Sequence, residues 1–491
     1  MKVFRRSKLG VASGDAIPMF HNGQYHIFFL TSPEGSTVYP DRICTTWRHV
    51  VSTNLVDWEE LPVALMPGGD GTTIDKDGCW TGSVLFGEGK FHIYYTAANL
   101  DSENPQTIAH ATSNDGIHWN KDGDKACITP IAEYYELIDW RDPYVFFNED
   151  ENCYWMLIAG RKNTGPDTRR ACVVLYKSSD LENWEHYGPI YEPGYTNVTE
   201  CPEMFKFNGY WYLTHSRFSE AAQTVYRVST SPYGPWRVPK YDGVGGRRFY
   251  AAKSMANDQN RRFYFGWVHE RAKPNDCAHW CWGGDFCIPH EMTQDEDGEL
   301  YFKMPEEIEK TFTESISWQF QTRANDIVQN DKVITADTVG KFAYGFFDVK
   351  EQKFLFKCQL IPIDCNDTFG ILLKSSDDLA HCYLLAFEPG MQRVSLIKYP
   401  VPMDPYWADA SVAVKDFSII EPDGPRICEK HLDFKNGDTI DVKVVIENEI
   451  MEIFVDSKVA FSFRCYKVPD HEIGIIVQDG ILDMRNTFFL K

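Results

Sequence analysis

The chain lacks any apolar run approaching the ~20 residues needed to span a bilayer, and its basic opening, Met1 to Gly10, lacks the apolar segment of a secretory signal. The mature protein is expected to be cytoplasmic, with no membrane partner. Basic residues are also scarce, 49 Lys and Arg against 71 Asp and Glu, giving a formal charge of −22 that repels polyphosphates and anionic lipid. The densest basic pairs, Arg247-Arg248 and Arg261-Arg262, flank strand-like phrases and read as solvated strand ends, so no nucleic-acid partner is expected. Paired C-x-x-C units are missing too. The 14 cysteines are scattered, which fits reduced thiols better than a disulfide framework. One cluster, Cys277, His279, Cys281 and Cys287 with His290 nearby, matches no standard zinc spacing. The sequence thus calls for no metal and no cofactor, and a neutral substrate fits the charge.

Aromatic residues, at 14% of the chain, recur in phase. A turn followed by alternating aromatic and aliphatic residues appears at His21 to Phe29, Gly87 to Tyr95, Asn148 to Leu157, Asn208 to Leu213 and Asn260 to Trp267. A second phrase, a Ser/Thr pair, a turn and a Trp, ends at Trp58, Trp119, Trp184 and Trp236, and the fifth unit lacks it in recognisable form. Asn-Gly-type turns between β-rich runs read as antiparallel hairpins, and a period of about fifty to sixty-five residues suits one four-stranded blade. The expected fold is all-β, a five-bladed β-propeller in which the recurring Trp residues pack between blades.

The blade phrases stop near Lys310, after a charged stretch, Glu306 to Thr313, that reads as a short connecting helix. Beyond it come dense short strand-like runs, among them Lys353 to Leu360, Tyr383 to Phe387, Thr439 to Ile446 and Glu472 to Val477. The expected domains are residues 1–310, a catalytic propeller, and 311–491, a β-sandwich. Its last stretch, Gly474 to Gly480, offers no catalytic group; the sandwich is expected to be either a sugar-binding module or, more simply, a scaffold, packed on the propeller and helping a homo-oligomer associate.

Three acids fall in equivalent phrases: Gly14-Asp15, Trp140-Arg141-Asp142-Pro143 and Glu200-Cys201-Pro202. Any one alone is an ordinary turn or strand-start carboxylate. Three at matching blade positions bring three carboxylates to one axis, which is the chemistry of sugar-acetal cleavage.

With Trp47 to Ser52, Leu55 to Trp58, Cys79-Trp80-Thr81-Gly82-Ser83, Phe249-Tyr250-Ala251 and Gly266-Trp267, these phrases resemble glycoside hydrolase family 32 along essentially the whole chain. The resemblance implies a retaining hydrolase that cleaves terminal fructofuranosyl linkages in short fructosides or fructans. In it Asp15 is the nucleophile, Glu200 the acid/base and Asp142 the stabiliser of the oxocarbenium-like transition state. Trp47, Trp80, Thr81, Arg141, Tyr250 and Trp267 are the implied substrate-binding residues. The chain departs from the family where W-M-N-D-P-N-G is usual: Ala12-Ser13-Gly14-Asp15-Ala16-Ile17-Pro18 has lost the aromatic and the amide, and Leu30 stands where a glutamine usually follows. Sugar recognition is therefore expected to differ, with sucrose handled poorly unless Ser13, Ser32 or Thr81 restores the lost contacts. The rivals are an inverting furanosidase of family 43 type acting on arabinosides or xylosides, a fructosyltransferase, and a non-catalytic sugar-binding propeller.

Overall fold

The computed structural model describes residues 3–219, 221–324, 326–330, 332–400 and 424–491, and it is nearly all-β. Each aromatic phrase forms the second strand of an antiparallel sheet. In three of them both turn residues take positive φ: Asn22-Gly23 (48° and 77°), Glu88-Gly89 (47° and 79°) and Asn208-Gly209 (44° and 88°). That turn geometry matches the twist of the strands it joins.

Three sheets follow the chain in simple meander order. Gly78–Gly87 leads to Lys90–Ala98, Gln106–Ser113 and Asn120–Lys121; Arg141–Asn148 leads to Cys153–Arg161, Ala171–Ser178 and Glu185–Tyr191; Glu200–Phe207 leads to Tyr210–Arg217 and Gln223–Ser229. A fourth, nine-stranded sheet joins the start of the chain to residues near 300. Its linking strand, Trp280–Phe286, pairs with Arg262–Arg271 on one side and with Ser13–His21 through Ser13 and Gly284 on the other.

The leading strands touch in closed order. Ser13–His21 meets Gly78–Gly87, which meets Arg141–Asn148, then Glu200–Phe207, then Phe249–Ala256, which returns to Ser13–His21. The recurring Trp residues stitch neighbouring sheets, as the sequence implies. Trp119 stands edge-on to Phe28 at 5.8 Å, Trp184 to Tyr94 at 5.5 Å and Trp58 to Phe265 at 6.4 Å, each reaching the preceding unit. Trp236 packs with Trp155 and Leu157 in the same sense.

The second half forms two seven-stranded antiparallel sheets, built from strands between Gln319 and Leu490, with one shared core that includes Phe356, Val444 and Ile453 from one sheet and Phe347, Phe369 and Ile371 from the other. The predicted connecting helix is a single turn, Glu306–Glu309. Leu355, Val445, Ile450 and Phe454 lie in another buried cluster with Tyr264 and Phe302, so the sandwich is welded by apolar contact to the preceding half. Ion pairs reinforce the weld, Arg5 with Glu452 at 2.7 Å and Arg464 with Asp285.

Phe28 is fully buried, stacked on His49 at 3.8 Å and capped by Trp119. Truncating a buried aromatic of this kind costs about 3–5 kcal/mol. Phe28→Ala is thus expected to lower the thermal midpoint by several degrees; an unchanged midpoint would show that the seam between these sheets carries no such weight.

Candidate active site

All five leading strands break register near one point: between Gly14 and Ile17, Trp80 and Gly82, Glu200 and Glu203, Tyr250 and Lys253, and opposite Leu157 and Ala159 for the strand that begins at Arg141. Such bulges re-aim side chains beside functional sites. In four strands the bulged residue has positive φ: Asp15 at 47°, Asp142 at 59°, Cys201 at 50° and Ala251 at 43°. For side chains with a Cβ this backbone is uncommon and persists only where the surroundings enforce it. The structure also corrects the expectation of three equivalent acids. Asp15 and Asp142 occupy the bulge, whereas Glu200 precedes it, in the place held elsewhere by Gly14, Trp80, Arg141 and Tyr250.

Two tiers result. In the tier before the bulge, Arg141 Nη2 donates to Glu200 Oε1 at 2.9 Å and the Tyr250 hydroxyl donates to Glu200 Oε2. Arg141 is oriented in turn by Asp139 at 2.5 Å and Gln106 at 3.2 Å. In the bulge tier, Asp15 accepts from Thr81 Oγ1 at 2.5 Å and from Trp267 Nε1 at 3.0 Å. Asp142 Oδ2 accepts from the Cys201 amide at 2.9 Å, with Arg141 Nε 3.8 Å away, and the Asp142 amide donates to Thr96 Oγ1 at 2.8 Å.

Burial, with the charges of Asp142 and Glu200 adding to it, pushes Asp15 up to about 7 against the pull of its two donors. Asp15 is 8% exposed and Asp142 4%, while the Glu200 side chain is 19% exposed. Burial and the Glu200 charge also push the Tyr250 phenol up, so it remains a donor.

A cavity of about 310 Å³ opens onto both tiers, a size suited to a small ligand. Asp15, Asp142 and Glu200 line it together with Trp80, Thr81, Arg141 and Tyr250. Trp47 and Trp267 do not. Both are fully buried and serve as supports: Trp47 Nε1 holds the Trp80 carbonyl at 2.9 Å, and Trp267 holds Asp15. The sequence reading missed Tyr39, Ile43, Gln106, Asp139 and Trp282, lining residues outside its motif phrases, although the isolated Trp282 was a signal.

Leu30 lines the cavity as an apolar wall, opposite Gly14 in the strand register, and neither Ser13 nor Ser32 is among the lining residues. Gly14 is enforced by packing, since a Cβ there would lie 2.9 Å from Trp282 Cζ2 and 3.3 Å from Trp267. Among the described residues no group of three or more His, Cys, Asp or Glu is arranged to hold a metal. Of the cysteine-rich cluster, Cys277 is exposed, Cys281 bonds the Thr37 carbonyl at 3.4 Å and His290 stacks on Phe249.

Three carboxylates and an arginine thus converge on one cavity of small-ligand size. Residues 16–305 match the glycosyl hydrolases family 32 N-terminal domain, and the chain belongs to that family. It is 30% identical over 331 residues to a fructan 1-exohydrolase of Triticum urartu, the match covering 62% of this chain and 53% of that protein, and 30% identical over 332 residues to one of Hordeum vulgare, covering 62% and 53%. The match thus spans about half the length of these curated relatives. Similar solved structures include an exo-inulinase from Aspergillus awamori (TM-score 0.71, 18% identity, covering 100% of this chain and 98% of that one) and fructan 1-exohydrolase IIa from Cichorium intybus (0.70, 17%, 99% and 97%). At this identity the likeness is one of fold.

Two outcomes follow from the geometry. Turnover that uses Asp15 as an anion should fall about tenfold per pH unit below pH ~7. A donor stabilises the charged form, so Trp267→Phe should raise the carboxyl further and move this acid limb of kcat/KM to higher pH; a limb that stays put would show that the indole does not hold the anion. Separately, Gly14→Asn, which reinstates the family amide, should lower the thermal midpoint through collision with Trp282. Adding Trp282→Ala should recover part of the loss, and a Gly14→Asn protein as stable as wild type would refute the packing account.

Proposed function

We propose that the protein is a retaining exo-acting β-fructofuranosidase, built as a five-bladed propeller over residues 1–310 and a sandwich over 311–491. The closed contact order of the five leading strands supports five blades. Family membership and the likeness to fructan 1-exohydrolases support the substrate class.

The observation that carries the roles is the different setting of two carboxyls in one cavity. Asp15 is buried at the bulge with both oxygens taken by neutral donors, one of them an indole N–H that can only donate. That is a cradle for an anion, and it suits a nucleophile attacking the anomeric carbon. Glu200 is the more exposed acid, which suits the group that meets a leaving group and an incoming water. It protonates the departing oxygen, then takes a proton from the incoming water as the glycosyl-Asp15 ester is hydrolysed. Asp142, fixed by the Cys201 amide, faces the ring as positive charge develops. Arg141 lies against both Glu200 and Asp142 and shares its one positive charge with them and with Asp139.

The aliphatic side chains of Leu30 and Ile43 in the wall offer no hydrogen bond to a fructosyl hydroxyl, which favours a short fructan or another fructoside over sucrose.

Asp15→Asn and Glu200→Gln are each expected to lower kcat by at least about 10²–10⁴-fold with the fold intact. NMR of the first product formed from inulin- and levan-type oligosaccharides should show the retained anomer. Early inversion would instead favour the family 43 type mechanism, and rates like wild type in a folded variant would remove that residue from the chemistry.

A further inference from the structure

Close to the register break of the Phe249–Ala256 strand lies a buried ammonium that the chemistry above leaves unused. Lys253 sits two residues past the Ala251 bulge on the Phe249–Ala256 strand and is 1% exposed. Its own strand touches Ser13–His21 and Glu200–Phe207, yet Nζ reaches past them to Gly78–Gly87 and donates to the Gly82 carbonyl at 2.7 Å. The same Nζ stands 5.7 Å from the Tyr144 ring centroid, on the Arg141–Asn148 strand. Its charge also acts on Cys201 and Glu203 of the Glu200–Phe207 strand. One cation therefore bears on four of the five leading strands.

The carbonyl it grips is placed with consequence. Gly82 follows Thr81 at the register break, and a Cβ at Gly82 would meet the Tyr94 carbonyl oxygen at 1.9 Å, so this stretch of backbone is pressed flat against its neighbour. The Thr81 carbonyl accepts from Thr96 Oγ1 at 2.9 Å, and Thr96 in turn accepts from the Asp142 amide. The Thr81–Gly82 segment is thus clamped by Thr96 on one carbonyl and Lys253 on the next, while the Thr81 hydroxyl holds Asp15.

A buried ammonium is costly unless compensated. The groups facing Lys253 are the Gly82 carbonyl, the Tyr144 ring, Cys201 and Glu203, and the Glu203 carboxylate is shared with the Ser254 amide at 3.0 Å and with Arg262 at 3.8 Å. Asp15 is faced by Thr81, Trp267, Asp142 and Glu200. Cys201, bonded through its amide to Asp142, lies between the two sets.

We propose that Lys253 is a positioning residue for the glycosidase reaction: its ammonium fixes the Thr81–Gly82 backbone that aims Asp15. The proposal rests on the fructosidase reading for its kinetic test, but its titration test does not.

The experiment compares wild type with Lys253→Met, which keeps the apolar stem and loses the terminal amine, and Lys253→Gln, which keeps a donor for Gly82 without the charge. The Asp15 carboxyl is followed by ¹³C NMR of aspartate-labelled protein, its signal assigned by its absence in Asp15→Asn. In Lys253→Met its ionisation should become less favourable, since a loosened Thr81 holds the anion less well, and Lys253→Gln should show a smaller change in the same direction. On whichever fructoside wild type hydrolyses, kcat should drop at least about tenfold in Lys253→Met with KM within about twofold, the acid limb should move to higher pH, and Lys253→Gln should recover both in part. A folded variant of either kind with an unmoved Asp15 titration overturns the proposal, as does a loss confined to KM. If Lys253→Met fails to fold, Lys253→Gln decides by the same titration. Wild type inactive on every fructoside would sink the substrate assignment alone, because the Asp15 titration still reports on Lys253.

Discussion

The register break shared by the five leading strands is the constraint from which the site follows. A regular strand would send successive side chains to opposite faces, so Arg141 and Asp142, or Glu200 and Cys201, could not both serve one cavity. The extra residue, with φ between 43° and 59° at Asp15, Asp142, Cys201 and Ala251, turns both members of each pair toward the same space. Strain of this kind costs of order 1–3 kcal/mol per residue, and here the hydrogen bonds of Thr81, Thr96, Trp267 and the Cys201 amide hold it in place.

Those donors also explain how three acids coexist within a chain that is already strongly acidic. The compensation is local. Arg141 lies between Asp142 and Glu200, while neutral hydroxyl, indole and amide groups donate to all three acids. The net charge of −22 bears on solubility and on which partners are repelled, and not on this balance.

Much of the architecture was legible because it repeats. The period of the aromatic phrases, the edge-on Trp residues and the lone acids in equivalent phrases are local patterns that a chain displays in order. Three things were not legible. The one-residue offset of Glu200 from Asp15 and Asp142 depends on where register breaks, which only pairing reveals. The burial of Trp47 and Trp267 depends on what covers them, and an indole looks the same in sequence whether it stacks on a sugar or holds up a neighbour. Tyr39, Gln106, Asp139 and Trp282 carry no period that would mark them as cavity walls. The loss of the family amide at Gly14 was visible, but its reason, the ring of Trp282 in the space a side chain would need, was not.

The strand Trp280–Phe286 links the last repeat to the first, and this fixes when the site comes into being. Asp15 receives one donor from a residue 66 positions later and the other from a residue 252 positions later. A ribosome-bound chain that has made all three acids still lacks the indole donor to Asp15 until Trp267 has emerged and its strand has been drawn against Ser13–His21. A contact of such sequence separation favours late completion of this hold in folding.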